Sequence, residues 1–130
     1  MAGNYVFEIT IPAQTTEDAP QEKEIILSAG IIDEISIGFP QGCSALAHLR
    51  IKEEESVLFP SNPNTDYAWN DTIYTFNPKH LLVEQNPILT LMGWNDDSFY
   101  QHTITVIINV TQLPPIVDAL SGLLNSYGVL

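Results

Sequence analysis

From His102 to Val110 the chain alternates strictly, with His102, Ile104, Val106, Ile108 and Val110 on one side and Thr103, Thr105, Ile107 and Asn109 on the other. A period of two residues marks a half-buried strand, because successive side chains of an extended backbone point to opposite faces. The same period runs near the N-terminus, where Tyr5, Phe7, Ile9 and Ile11 alternate with Asn4, Val6, Glu8 and Thr10. Pro12 ends that run, since it has no N–H to give to a ladder. Alternation returns in residues 31–39, with Ile35, Ile37 and Phe39 on one side. It appears again in Ala45, Ala47, Leu49 and Ile51, with His48, Arg50 and Lys52 turned outward.

Breakers divide these runs. Gly30 separates the apolar stretch 24–29 from the strand that follows, and Pro40-Gln-Gly42 turns the chain. The triplet Glu53-Glu-Glu55 has the solvated character of a hairpin tip before a strand at 57–59. Shorter strands are expected at 72–76, 81–83 and 88–94, and residues 95–98 are a strong turn signal. Residues 14–22 are polar and read as a loop or extended arm; residues 60–71 form a long loop of the kind that serves an interface or a function. About eight short strands at this spacing predict an all-β fold, an antiparallel β-sandwich or jelly roll.

After Pro114 and Pro115 the period changes. Ile116, Val117, Leu120, Leu123, Leu124 and Tyr127 recur at helical spacing, and Asp118 is the single charge. This predicts a sandwich over 1–113 and a short amphipathic C-terminal α-helix within 114–130. The apolar face of that helix needs cover from its own sandwich, a neighbouring subunit or a partner. Its candidate oligomer or partner contacts are Ile116, Leu120, Leu123, Leu124 and Tyr127.

Charge narrows the partners. Sixteen acidic against four basic side chains give a net charge of −12, which argues against nucleic acid, whose binding requires phosphate neutralisation by Lys and Arg. No segment reaches the roughly 20 apolar residues that span a bilayer, and the predicted helix has no basic polar face, so no membrane partner is expected. The N-terminus has no basic, apolar leader pattern, which predicts a chain made in soluble form. Cys43 stands alone and reads as a small core residue rather than part of a disulfide framework.

Candidate chemistry is sparse. His48, His80 and His102 show no ligand spacing, and no nucleophile motif of the Gly-x-Ser-x-Gly type occurs, so no catalytic, cofactor or metal residues are assigned and no enzyme is expected. Asp66, Asp71, Asp96 and Asp97 sit in two loops that a calcium ion would suit, although turns use Asp for backbone reasons. Aromatic residues flank the same loops. Trp69, Trp94 and Tyr100, with Tyr67, Tyr74 and Phe99 nearby, are candidate ligand-loop aromatics for a sugar-stacking platform. The plainer reading pairs Trp94 with Tyr100 across a tight turn.

The stretches Ile11-Pro-Ala-Gln-Thr-Thr-Glu-Asp18, Ile37-Gly-Phe-Pro-Gln-Gly-Cys43, Leu58-Phe-Pro-Ser-Asn-Pro63 and Gly93-Trp-Asn-Asp-Asp97, followed by His102-Thr-Ile-Thr-Val106, resemble small β-sandwich virion proteins of tailed bacteriophages. The resemblance covers about residues 9–110 and rests on turn signatures. It implies a non-enzymatic structural role: a capsid decoration or cement protein, made in the host cytoplasm and residing in the virion. Its implied partners are the major capsid protein or other virion proteins, and its implied state is a homo-oligomer, a trimer or dimer. Residues 14–22 and the C-terminal helix would be its arms. The alternative is a carbohydrate- or receptor-binding module of a virion fibre or tail.

Overall fold

The structure, a computed structural model, describes residues 3–113, and among these it contains nine strands and no helix. In chain order they are β1 (Gly3–Ile11), β2 (Gln21–Ile26), β3 (Gly30–Phe39), β4 (Ala47–Glu53), β5 (Ser56–Phe59), β6 (Thr72–Phe76), β7 (His80–Leu82), β8 (Ile88–Asn95) and β9 (His102–Thr111). They form two antiparallel sheets. One runs β1-β9-β3-β6, with β7 pairing the first residues of β3; the other runs β2-β8-β4-β5. The predicted C-terminal helix, with Ile116, Leu120, Leu123, Leu124 and Tyr127, lies outside the described residues.

Register explains the burial. Phe7 and Ile37 both face Val106, and Tyr5 and Ile35 both face Ile108, so the alternating residues of three strands line up in rows. The opposite sheet answers with Ile25 beside Leu89 and Ile51 beside Leu91. These side chains form one core, each contributing up to roughly 1.5–3 kcal/mol through burial. Gly93 leaves room for Ile11 of the facing sheet. A Cβ there would stand 2.4 Å from Ile11 Cδ1 and 3.0 Å from the His48 carbonyl oxygen.

The two sides of the sandwich close differently. At the β1/β2 side, Lys23 is in register with the buried Leu91, and its Nζ donates to the Glu8 carbonyl at 2.7 Å, bridging the sheets. An inward-leaning lysine on an edge strand also discourages edge-to-edge pairing. At the β5/β6 side the core-facing residues of β6 are Tyr74 and Phe76, which pair with Ile37 and Ile35, and Tyr74 stays partly exposed. That side is where a cleft opens.

Two expectations need correction. Residues 14–22 are not a free arm: Gln14 N–H donates to the Asp97 carbonyl and Asn95 N–H to the Thr15 carbonyl, both at 2.9 Å, and Gln21 and Glu22 already belong to β2. Their exposed polar side chains hide an edge strand from a reading based on hydrophobic period. Ala45 does not face the core; it lies exposed at a φ of 59° in the turn before β4, so inward alternation begins at Ala47.

Candidate functional site

The cleft at the β5/β6 side is built from two pairs of aromatics spaced two residues apart. Tyr67 exchanges backbone hydrogen bonds with Leu49, both 2.9 Å, so the loop after β5 continues alongside β4 and turns Tyr67 toward the core. Trp69 follows and meets Phe39 edge-on at 5.8 Å between centroids. Asn70 then anchors the loop, its Oδ1 accepting the N–H groups of Gly42 and Ser44 at 2.9 Å each. The chain returns as β6 with Tyr74 and Phe76 facing the same space. Trp69 and Tyr74 are 4.9 Å apart, Tyr74 and Phe76 5.4 Å, and Tyr67 lies within 5.7–5.9 Å of all three. With Ser61 and Asn62 they line a cleft of about 470 Å³. Trp69 is 37% exposed, whereas Tyr67 is 8% exposed. Burial, and secondarily Tyr74, pushes the Tyr67 phenol up to about 12.

Trp94 belongs to a different place. It lies on the outer side of the second sheet, 5% exposed, beneath the His48 ring and the Arg50 guanidinium. His48 Nδ1 is 2.6 Å from Asp66 Oδ2 and its Nε2 is 2.8 Å from Asp96 Oδ2. Arg50 donates from Nε to the Thr65 carbonyl at 2.8 Å and from Nη1 to Glu17 at 3.1 Å. Three loops are tied down over one indole, which makes this cluster a structural clamp. Trp94 has no ring contact with Tyr100, so the cross-strand pair expected from the sequence is absent.

The turn after β8 carries the three buried polar residues of the described chain: Asn95, Asp97 and His102. Asn95 Nδ2 donates to the Ile11 and Tyr100 carbonyls at 3.2 and 2.9 Å, and its Oδ1 accepts the Asp97 N–H at 3.0 Å. Asp97 Oδ1 accepts the N–H groups of Phe99 and Tyr100, while Oδ2 meets His102 Nε2 at 2.8 Å. The Phe99 N–H, then the His102 contact, holds the Asp97 carboxyl below its ordinary value. This network fixes a tip on which Phe99 is 84% and Tyr100 70% exposed.

The outer face of the five-stranded sheet is largely uncharged at its centre. Val6, Ile107, Ser36 and Thr75 form one row and Thr105, Gly38 and Ile73 most of the next, with Glu8 at its end. Gly38 leaves a hollow of about 630 Å³ bordered by Ile73, Ile107 and Thr103. A more acidic groove of about 650 Å³ runs between Glu53, Glu54, Glu84 and Glu24, past exposed Leu81, Val83 and Ile88. His80 Nε2 is enclosed at its side without a hydrogen-bond partner.

Of the candidate ligand aromatics, only Trp69 lines the aromatic cleft; Trp94 is buried in the clamp and Tyr100 stands on the tip. The loop aspartates do not converge either. Asp66 and Asp96 flank one histidine, Asp97 is spent on its own turn, and among the described residues no group of three or more His, Cys, Asp or Glu is placed to hold a metal ion. Cys43 is in the core, where burial raises its thiol. The reading from sequence missed Phe76 in the cleft and the His48 clamp. The two same-face pairs Tyr67/Trp69 and Tyr74/Phe76, set on either side of the Asn70-Asp71 turn, are the signal that finds the cleft. The chain matches no family model, and comparison with curated proteins finds no match.

Proposed function

We propose that this chain is a non-enzymatic structural protein of a phage virion, a decoration or cement component that binds its neighbours through the faces of a rigid sandwich. The observation that carries this reading is the strand order. Taking β6 and β7 as one interrupted strand, the order 1-9-3-6 facing 2-8-4-5 is the wind of a jelly roll, an architecture used by viral capsid and lectin domains. That is an analogy of fold, and it joins the resemblance of the turn motifs. Contact surfaces of the right kind are present: a largely uncharged face with Val6, Ile73 and Ile107, and a hydrogen-bonded tip with Phe99 and Tyr100, where aromatic anchors serve association. The excess of carboxylates keeps assembled particles soluble.

The test is the solution mass of the full-length protein by light scattering, beside Ile73→Asp and a chain ending at Leu113. A dimer or trimer that dissociates in Ile73→Asp supports association through the sheet face. Dissociation only on truncation transfers that role to residues 114–130. A monomer in every case, at high concentration, contradicts the oligomeric part of the proposal.

A further inference from the structure

We propose that the aromatic cleft formed by Tyr67, Trp69, Tyr74 and Phe76 binds a neutral saccharide, whether or not the chain resides in a virion. Three observations favour this ligand. The rings of Trp69, Tyr74 and Phe76 follow one another at 4.9 and 5.4 Å with interplanar angles of 42° and 28°, so they form a continuous curved wall rather than separate ridges. A wall of touching rings suits the C–H face of a pyranose. A polyproline helix instead needs slots about 9 Å apart, one per three-residue turn, and rings in mutual contact leave none.

The second observation is a polar group that the protein leaves to solvent. Tyr67 is more than nine-tenths buried as a residue and lines the cleft, yet its hydroxyl makes no hydrogen bond to a described residue and stays open to water, since it is not among the sealed polar atoms. A hydroxyl on the wall of an aromatic cleft that is hydrated rather than bonded to the protein is free to exchange its water for a sugar hydroxyl. Ser61 and Asn62 at the mouth likewise have side chains without partners among the described residues, and both can donate and accept. The third is charge. No Lys or Arg lines the cleft, and a net charge of −12 disfavours sialylated, sulfated or phosphorylated glycans. The volume of about 470 Å³ holds one or two sugar rings and falls within the roughly 300–1,000 Å³ of small-molecule sites.

The two tryptophans provide the assay, because each gives one indole N–H signal in a proton–nitrogen NMR spectrum. Full-length protein is titrated to millimolar levels with cellohexaose, chitohexaose, mannohexaose, maltohexaose and laminarihexaose, and separately with a decaproline peptide. The expected result is a saturable shift of the Trp69 signal with at least one hexasaccharide, while Trp94 in its clamp stays in place. Binding is lost in Trp69→Ala and weakened about fivefold in Tyr67→Phe, which removes only the hydroxyl and keeps the fold. No shift with any of the five sugars overturns the proposal. So does a shift that survives Trp69→Ala with unchanged affinity, or binding of decaproline in place of sugar.

Discussion

The His48 imidazole lies flat on the Trp94 indole, ring centroids 4.9 Å apart and planes within 4° of parallel. β4 and β8 are in register at this pair, so the stack is a cross-strand contact on the outside of the sheet. What gives it reach is the pair of aspartates at the ring nitrogens, one from each of two loops. His48→Phe keeps the stack and removes both polar contacts. It should cost about 1–2 kcal/mol in urea unfolding. Asp66→Asn should cost more than Asp96→Asn, since Asp96 is more exposed and an exposed ion pair contributes little. Equal costs for the two asparagine variants would show that the clamp does not depend on the less exposed arm.

Asp97 gives the fold a defined response to acid. Its carboxyl is held below the ordinary value first by the Phe99 N–H and then by His102, with the Tyr100 N–H adding to these against the effect of burial. A carboxylate depressed in the folded state contributes stability that is complete above its unfolded value of about 4 and is lost as pH falls through the folded value. Asp97→Asn should therefore melt lower than the wild type near neutral pH and show a shallower loss of melting temperature between about pH 5 and pH 2. Parallel acid limbs in the two proteins would place the acid sensitivity elsewhere.

Legibility in the sequence followed how local each determinant is. β1, β3 and β9 are readable because apolar residues recur at alternate positions in each, with one change of phase at the Ile32/Glu34 irregularity of β3, and that period needs no knowledge of the partner strand. The apolar stretch 24–29 places β2 three residues late, and the tether before it looks like a loop or arm, because Gln21, Glu22 and Lys23 are held by backbone pairing to β8 that leaves no mark on their side chains. The aromatics show the same division. Tyr67 and Trp69 share a face by spacing alone, but that Trp94 belongs to His48 and Arg50 depends on the β4/β8 register, which only the assembled sheet supplies.

Gly30 and Gly42 both have positive φ, 147° and 104°, and differ in what surrounds them. A Cβ at Gly30 would stand 2.4 Å from the Thr111 carbonyl oxygen on the neighbouring strand; at Gly42 it would meet nothing within 4 Å. Gly42→Ala should cost roughly 1 kcal/mol, the conformational penalty alone. Gly30→Ala adds a backbone collision and should cost roughly 2–4 kcal/mol, measured as a lower urea midpoint with an unchanged slope. Similar midpoints for the two variants would mean that the β3/β9 end yields without loss.

Phe99 tests whether the tip after β8 is presented for contact or merely left over. An aromatic ring 84% exposed contributes little to the fold, yet the backbone beneath it is fixed by Asp97, Asn95 and His102. A side chain carried on a fixed backbone loses only its own rotamer freedom when a partner covers it, and an aromatic ring has little of that to lose, which favours aromatics as anchors of an interface. Phe99→Ser should therefore leave the unfolding free energy within about 0.5 kcal/mol of the wild type while reducing any self-association seen by sedimentation. Asp97→Ala should do the opposite to the fold, since it strips acceptors from the Phe99 and Tyr100 N–H groups and loosens the tip. If Phe99→Ser lowers the melting temperature as much as Asp97→Ala does, the ring is part of the packing and the tip is not a docking surface.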